Sequence, residues 1–110
     1  MTDKIVVLST CASEEEGERL GRMLVEARLA GCVTVMPKAR SYYHWKGAVE
    51  SAEECLLIIK SSRALFEEIR VALEKAHSYE VPEVLAIPIV EGAENYMLWL
   101  NSCLKTVGAE

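Results

Sequence analysis

Two long β-prone segments joined at Lys46-Gly47 constrain the fold of this chain most strongly. Residues 32–45 and 48–60 give two arms of about 13 residues, each about 40 Å long at ~3.3 Å per residue. A compact domain of 110 residues has a radius of gyration near ~13 Å, a sphere about 34 Å across. The hairpin tip therefore overhangs, and we expect further copies of the chain around a rotation axis to cover its edges. A free β-arm, or a hairpin bent at Pro37, is the alternative.

The other segments predict a strand and a helix on each side of this hairpin. A Ser-x-x-Glu capping box at Ser13 and Glu16 begins the first helix, and Gly31 is placed to end it. Ser61-Ser62 are expected to cap the second helix, and residues 55–59 read as a strand covered on both faces. The predicted elements are strand 4–9, helix 13–30, the hairpin, a helix from 61 to about 77, strand 84–90 and helix 93–104. This order is the ferredoxin-like β-α-β-β-α-β pattern, an α+β antiparallel sheet with an additional C-terminal helix and both long helices on one face.

Composition limits the class of protein. Hydrophobic residues are 51% and charged residues 26%, which is typical of one globular domain over residues 1–110. The net charge of −5 without a Lys/Arg cluster argues against nucleic acid as a partner. No apolar run has the ~20 residues of a bilayer span. The apolar run near the start of the sequence is too short for that of a signal peptide. We therefore expect no membrane contact, a cytoplasmic location and reduced cysteines that mostly pack in the core.

The polar residues between the second helix and the last strand are the strongest candidates for chemistry. His77 follows the helix and is either a metal ligand or proton carrier, or a cap that favours the helix dipole. Glu83 follows Pro82, which holds the chain extended, and it is either part of a site or a solvated strand residue. Tyr79 is close enough in sequence to hydrogen-bond Glu83.

Other candidates are weaker. Cys11 precedes the first helix, where a thiol pKa can be lowered, although a packed core residue is the simpler interpretation. Lys60 and Glu50 lie on the third strand, where Lys60 is able to pair with an anion or with a carboxylate, and His44 is expected at an interface or in solvent. The chain has no phosphate-binding glycine loop, zinc-protease helix motif or nucleophile elbow, so we do not expect an enzyme.

Several motifs together resemble the CutA divalent-ion tolerance family. They are Ala30-Gly31-Cys32-Val33, Ser41-Tyr42-Tyr43-His44-Trp45-Lys46-Gly47, Leu57-Ile58-Ile59-Lys60, His77-Ser78-Tyr79-Glu80-Val81-Pro82-Glu83 and Tyr96-x-x-Trp99-Leu100. The resemblance covers nearly the whole chain in order. It implies a homotrimer with long hairpins swapped across subunits, no catalysis, and a role in tolerance of copper and other divalent cations.

The resemblance implies an incomplete metal site. The proposed copper ligands of the family are a Cys at the end of the first strand and a His-His pair, and this chain has Ser9 and Ala76 at two of those positions. We therefore predict that His77 and Glu83 bind copper or another divalent cation weakly at a cleft between subunits. Tyr79 and Lys60 are predicted to line that cleft.

The aromatic hairpin tip supplies the remaining predicted interface residues, Tyr43 and Trp45. A second interpretation is a signalling trimer similar to the PII proteins, whose cleft takes a small metabolite or anion through Lys60 and Tyr79. Acid–base catalysis by Glu83 and His77 ranks third, because no nucleophile or cofactor motif accompanies them.

Overall fold

The computed structural model describes residues 2–107, which form a four-stranded antiparallel sheet and three α-helices. The elements in chain order are β1 (Lys4–Cys11), α1 (Glu14–Glu26), β2 (Cys32–Trp45), β3 (Ala48–Ser62), a 3-10 turn (Arg63–Leu65), α2 (Phe66–Ala76), β4 (Leu85–Pro88) and α3 (Glu94–Cys103). The strand order β2-β3-β1-β4 is that of the ferredoxin-like fold. The predicted α+β class and element order are therefore confirmed.

Alternating apolar residues on β1 and β3 build the core on one face of the sheet. This inner face packs against α1 and α2, as predicted for two helices on one side. Its fully buried strand residues alternate with partly buried ones on the other side, which we call the outer face. The buried strand and helix side chains are Ile5, Val7, Cys11, Leu20, Leu24, Cys55, Leu57, Ile59, Leu65, Ile69 and Leu73. The prediction that residues 55–59 are covered on both faces is wrong for the single chain, because Leu56 and Ile58 are only partly buried.

Helix α1 begins as its capping box predicts and ends earlier than expected. Ser13 Oγ accepts a hydrogen bond from the Glu16 N–H at 3.1 Å. The helix stops at Glu26, and Arg28 takes the left-handed conformation with φ of 59°. Gly31 therefore does not end the helix. Its N–H donates to the Lys60 carbonyl at 3.0 Å, and a Cβ there would lie 2.5 Å from Leu100 Cδ1 of α3.

The start of α2 also differs from the prediction. Ser61 and Ser62 belong to β3, whose pairing with β1 continues to Lys4 opposite Ser62. The Ser61 hydroxyl donates to the Leu29 carbonyl at 2.6 Å instead of capping a helix, and Ser62 makes no side-chain cap hydrogen bond. Helix α2 ends at Ala76 with His77 as its C-cap residue, as predicted.

The C-terminal part keeps its predicted elements with shorter bounds. Strand β4 has four residues and ends at Pro88. On α3, Leu100 of the Tyr96-x-x-Trp99-Leu100 motif is buried, whereas Tyr96 and Trp99 are exposed. None of the helices within residues 2–107 has the length and apolar character that a bilayer span requires.

The hairpin overhangs the body of the molecule. Strand β2 continues past Pro37 through a bulge between Met36 and Ala39, where Lys38 has φ of 67°. The pairing of β1 with β3 ends at Cys11 opposite Cys55. Residues 39–54 therefore form a two-stranded ribbon, which we call the arm, and the molecule measures 45 × 28 × 23 Å. The predicted tight turn is present, with positive φ at Lys46 and Gly47 as in a type I′ hairpin.

Candidate functional site

A groove of about 690 Å³ lies where the arm meets the segment between α2 and β4. We call this segment, residues 77–84, the loop. The groove lies between the arm, the end of β1 and the loop. Its lining residues are Thr10, Tyr43, Trp45, Glu50, Glu54, Ser78, Tyr79, Glu80, Val81 and Glu83.

Strand alternation determines which arm residues face the groove. Tyr43 pairs with Glu50 and Trp45 with Ala48 across the arm, and Ala39 pairs with Glu54. Because paired residues in an antiparallel ribbon point to the same side, Tyr43, Trp45, Glu50 and Glu54 share one face. On β3 this face continues into the outer face of the sheet.

Glu16 anchors the loop to α1. Its carboxylate accepts hydrogen bonds from the Ser78 N–H at 2.8 Å, the Ser78 hydroxyl at 2.9 Å and the Ala12 N–H at 3.1 Å. Burial by itself raises the pKa of Glu16, but the hydrogen bonds from Ser78 and Ala12 outweigh it and lower the pKa below its ordinary value. The capping-box glutamate therefore holds both the helix start and the first residues of the loop.

Both ring nitrogens of His77 are engaged inside the protein. Nε2 lies 2.8 Å from the Thr10 carbonyl oxygen, and Nδ1 lies 3.0 Å from the Tyr79 backbone nitrogen. A carbonyl only accepts and a backbone N–H only donates, so the proton belongs on Nε2 and Nδ1 accepts. The side chain is fully buried. His77 in this arrangement joins β1 to the loop and has no free nitrogen for a metal.

Tyr79 connects the loop to the arm. Its hydroxyl donates to Glu54 Oε2 at 2.6 Å, and its ring lies against the His77 ring with centroids 4.8 Å apart. Burial and the hydrogen bond to the Glu54 carboxylate raise the pKa of Tyr79 above its ordinary value. Tyr79 therefore remains a protonated donor at physiological pH, and its ring is held as one wall of the groove.

The structure brings together four of the six predicted site residues. Glu83, Tyr79, Tyr43 and Trp45 all line the groove. The His77 ring lies outside it, so the two predicted metal ligands are not placed side by side. Lys60 also lies elsewhere, with Nζ 3.4 Å from the Tyr96 hydroxyl on α3. Tyr79 hydrogen-bonds Glu54 and not Glu83.

The described residues of a single chain form no complete metal-binding cluster. Within residues 2–107, no group of three or more His, Cys, Asp or Glu side chains is arranged to hold a metal ion. Ser9 is buried on the inner face, and its hydroxyl makes no hydrogen bond to the described part of the chain. Burial, followed by the neighbouring Cys55, raises the pKa of Cys11 to about 12, so the thiol is not the activated type that a helix N-terminus can produce.

Sequence reasoning missed Glu54 and Glu80 as groove residues and Glu16 as the anchor of the loop. The alternation that places Tyr43 and Glu50 on one face also places Glu54 there, so a signal for Glu54 was present once the hairpin register was known. The lining contains four carboxylates and no Lys, Arg or His side chain. The groove is therefore a region of negative potential with aromatic walls.

Two similar proteins are named for different compartments, and they contradict the cytoplasmic prediction. The chloroplastic protein CutA of Arabidopsis thaliana is 41% identical over 101 residues, 92% of this chain and 56% of that protein. The structure described as the periplasmic divalent cation tolerance protein CutA from Archaeoglobus fulgidus has a TM-score of 0.90 at 33% identity, covering 93% of this chain and 99% of that one. A cytoplasmic location therefore does not follow from this fold and composition.

The similarity extends along nearly the whole chain. The family described as CutA1 divalent ion tolerance protein matches residues 5–103. The divalent-cation tolerance protein CutA of Pectobacterium atrosepticum is 37% identical over 105 residues, 96% of this chain and 96% of that protein. The crystal structure of CutA from Xylella fastidiosa has a TM-score of 0.92 at 34% identity, covering 94% of this chain and 100% of that one. The chain belongs to the CutA1 divalent ion tolerance family.

Proposed function

We propose that this protein acts in divalent-cation tolerance without catalysis, as a homotrimer that binds a divalent cation weakly at clefts between subunits. The observation that carries this proposal is the groove, where Glu54 and Glu83 are two of four carboxylates in a lining that has no Lys, Arg or His among the described residues. Carboxylate oxygens attract hard divalent cations, and copper is bound by oxygen and nitrogen donors. One subunit offers too few converging donors, so water or a second subunit must supply the others.

The outer face of the sheet supports an assembly next to the groove. Its apolar side chains are partly or largely exposed in the single chain: Val6, Leu8, Met36, Leu56, Ile58, Leu85 and Ile87. An apolar surface of this kind, together with an arm whose outer edges are unpaired, is typical of an interface. Because the groove opens on the same side of the sheet, a neighbour on the outer face would lie beside it.

Copper titration by calorimetry tests the site. We expect weak saturable binding to the wild type and a several-fold loss in Glu83→Gln. The matched control is Glu53→Gln, which removes the same charge from the opposite face of the arm. Equal isotherms for these two variants contradict the groove as the site. His77→Ala tests the other predicted ligand, and unchanged binding there removes His77 from the site.

Native mass and a thermal-shift screen test the other parts of the proposal. A trimer mass at micromolar concentration is expected, and a 12.2 kDa particle contradicts the assembly. The alternative of a PII-like trimer that binds a small anion has less support, because Lys60 lies against Tyr96 and away from Tyr79. A thermal-shift response to nucleotides or small anions without metal would favour that alternative.

A further inference from the structure

Two of the four cysteines lie directly opposite each other on the inner face of the sheet. Cys11 and Cys55 are the last paired residues of β1 and β3, and both are buried free thiols. Directly opposed residues of an antiparallel pair have Cα atoms about 4.5 or about 5.5 Å apart. A disulfide requires a Cα separation of about 4.4–6.8 Å. The backbone register therefore places these two cysteines at bridging distance.

The side chains of the two cysteines also interact. Burial is the main cause that raises the pKa of each thiol, and a side-chain hydrogen bond between them shifts both pKa values as well. Opposed Cβ atoms lie about 4.5–5.5 Å apart, whereas those of a disulfide lie about 3.5–4.5 Å apart, so closure needs a movement of about 1 Å. Because β1 ends at Cys11, this movement breaks no further pair of the ladder.

The packing around the pair does not oppose the bond. Helix α1 covers it closely, since a Cβ on Gly17 would lie 2.7 Å from Cys55 Sγ. A disulfide fits under this helix because two hydrogens leave and the sulfurs approach to ~2.05 Å. On the other side of β3, the described pairing with β2 bulges at Pro37 and Lys38 and leaves Cys55 without a partner there. The cover comes from α1 of the same chain, so an assembly through the outer face leaves the pair unchanged.

We infer that Cys11 and Cys55 form a cross-strand disulfide when a low-molecular-weight disulfide is available as the oxidant. One protein thiolate attacks that disulfide and releases one small thiol, and the second protein thiol then displaces the other. Two S–H bonds break and one S–S bond forms between the cysteines. The two electrons and two protons leave with the oxidant as two small thiols. This modification goes beyond the proposed divalent-cation function and does not depend on it.

The bond connects the body to the base of the arm. Cys55 is the residue that directly follows the arm on β3, and Cys11 lies beside the start of α1. In the reduced protein, the Cys11 thiol donates to the carbonyl of the N-cap residue Ser13 at 3.5 Å. Oxidation replaces this weak hydrogen bond with a covalent link between β1 and β3. The pair stays reduced in a compartment rich in thiols and closes in an oxidising one.

Peptide mapping of the full-length wild type tests the inference. Trypsin places the four cysteines on four separate peptides, with Cys11 on residues 5–19 and Cys55 on residues 47–60. The protein is refolded from urea in a mixture of reduced and oxidised glutathione, so that burial does not block the thiols, and free thiols are then alkylated. We expect the peptides 5–19 and 47–60 to be recovered linked to each other and to separate on reduction.

Two results of this mapping overturn the inference. One is a folded product in which Cys11 and Cys55 are both recovered as alkylated thiols. The other is a product linked mainly through Cys32 or Cys103. Cys32 lies opposite Lys60, five residues along β3 from Cys55 and about 17 Å away, so a link between Cys32 and Cys55 reports chemistry of the unfolded chain.

The Cys32→Ser/Cys103→Ser variant measures how far the fold favours the bond. Half-oxidation of the folded variant should need about tenfold less oxidised glutathione than half-oxidation in urea, because a bond that fits the native state is favoured by folding. An equal or greater requirement in the folded state shows that native geometry opposes the bond and overturns the inference. Adding Cys55→Ala provides the control, in which oxidised and reduced samples should unfold at the same temperature, whereas the intact pair should unfold at a higher temperature when oxidised.

Discussion

The body and the arm of this molecule are stabilised by different means. In the body, two helices cover the inner face and bury nearly every apolar side chain on it. In the arm, both faces of the ribbon are exposed, with Tyr42 on one face 73% exposed and Trp45 on the other 58%. A two-stranded ribbon is marginally stable by itself in water. The body therefore determines whether the chain folds, and the arm is available to bind something outside its own chain.

The groove lies between these two regions and takes residues from both. Its ordered wall comes from the loop, which Glu16 and His77 fasten to α1 and β1. Its other wall comes from the exposed arm. A stable body can in this way position Tyr79 and Glu83 while the arm provides surface that a neighbour or ligand covers.

The largest effect should come from truncating the body on a strand that the two regions share. Leu57→Ala on β3 removes a fully buried side chain from the inner face and should lower the free energy of unfolding by about 3 kcal/mol. Val49→Ala is the matched change on the same strand in the arm, where the side chain is 68% exposed, and should stay within about 0.5 kcal/mol. Urea denaturation measures both. Equal losses would show that the arm is as tightly packed as the body.

Truncating the arm should instead weaken the proposed trimer. Trp45→Ala removes a large exposed aromatic, and interface residues of this type typically contribute about 2 kcal/mol, roughly a 30-fold change in association. Sedimentation equilibrium over a dilution series measures it. Val71→Ala on α2, an exposed valine outside the arm, is the control. An unchanged trimer at the lowest concentration would exclude Trp45 as an interface residue.

The stability that Glu16 contributes by holding the loop to the body should depend on pH. The folded pKa of Glu16 lies below its ordinary value, so its stabilising contribution is complete above the unfolded pKa of about 4.3 and disappears as pH falls through the lower folded value. Glu16→Gln should cost about 1.5 kcal/mol near neutral pH, and the difference from wild type should shrink below pH ~4. Thermal unfolding from pH 3 to 7 measures it. A difference that stays constant with pH would mean that the carboxylate charge is not the source.

The sequence predicted the elements of the body better than the contacts between the body, the arm and the loop, and the reasons are physical. The capping box of α1, the turn at Lys46-Gly47 and the end of α2 depend on local contacts, and the structure confirms them. Ser61 looked equally suited to a helix cap, but a carbonyl 32 residues away accepts its hydroxyl. Such distant backbone partners leave no local pattern.

The same distinction between local and distant contacts explains which site residues were predicted correctly. Tyr79 and Glu83 belong to a recognisable segment and both line the groove. The His77 ring instead hydrogen-bonds the Thr10 carbonyl, 67 positions earlier in the chain. No side-chain motif predicts which backbone carbonyl will accept such a hydrogen bond. Glu54 was missed because its partner Tyr79 is 25 residues away and joins it only when the arm and loop meet.

The smallest effect is expected from removing only the hydrogen bond between Tyr79 of the loop and Glu54 of the arm. Tyr79→Phe keeps the ring against His77 and removes only the hydroxyl that donates to Glu54 at 2.6 Å. A partly exposed hydrogen bond to a carboxylate contributes about 1 kcal/mol, so the global unfolding free energy should fall by no more than that. Hydrogen exchange is the sharper measurement, since loosening should be confined to the loop amides and leave β1 and β3 protected. If protection fell equally in the body strands, the arm–loop contact would be part of the cooperative core, and the division between body and arm would not hold.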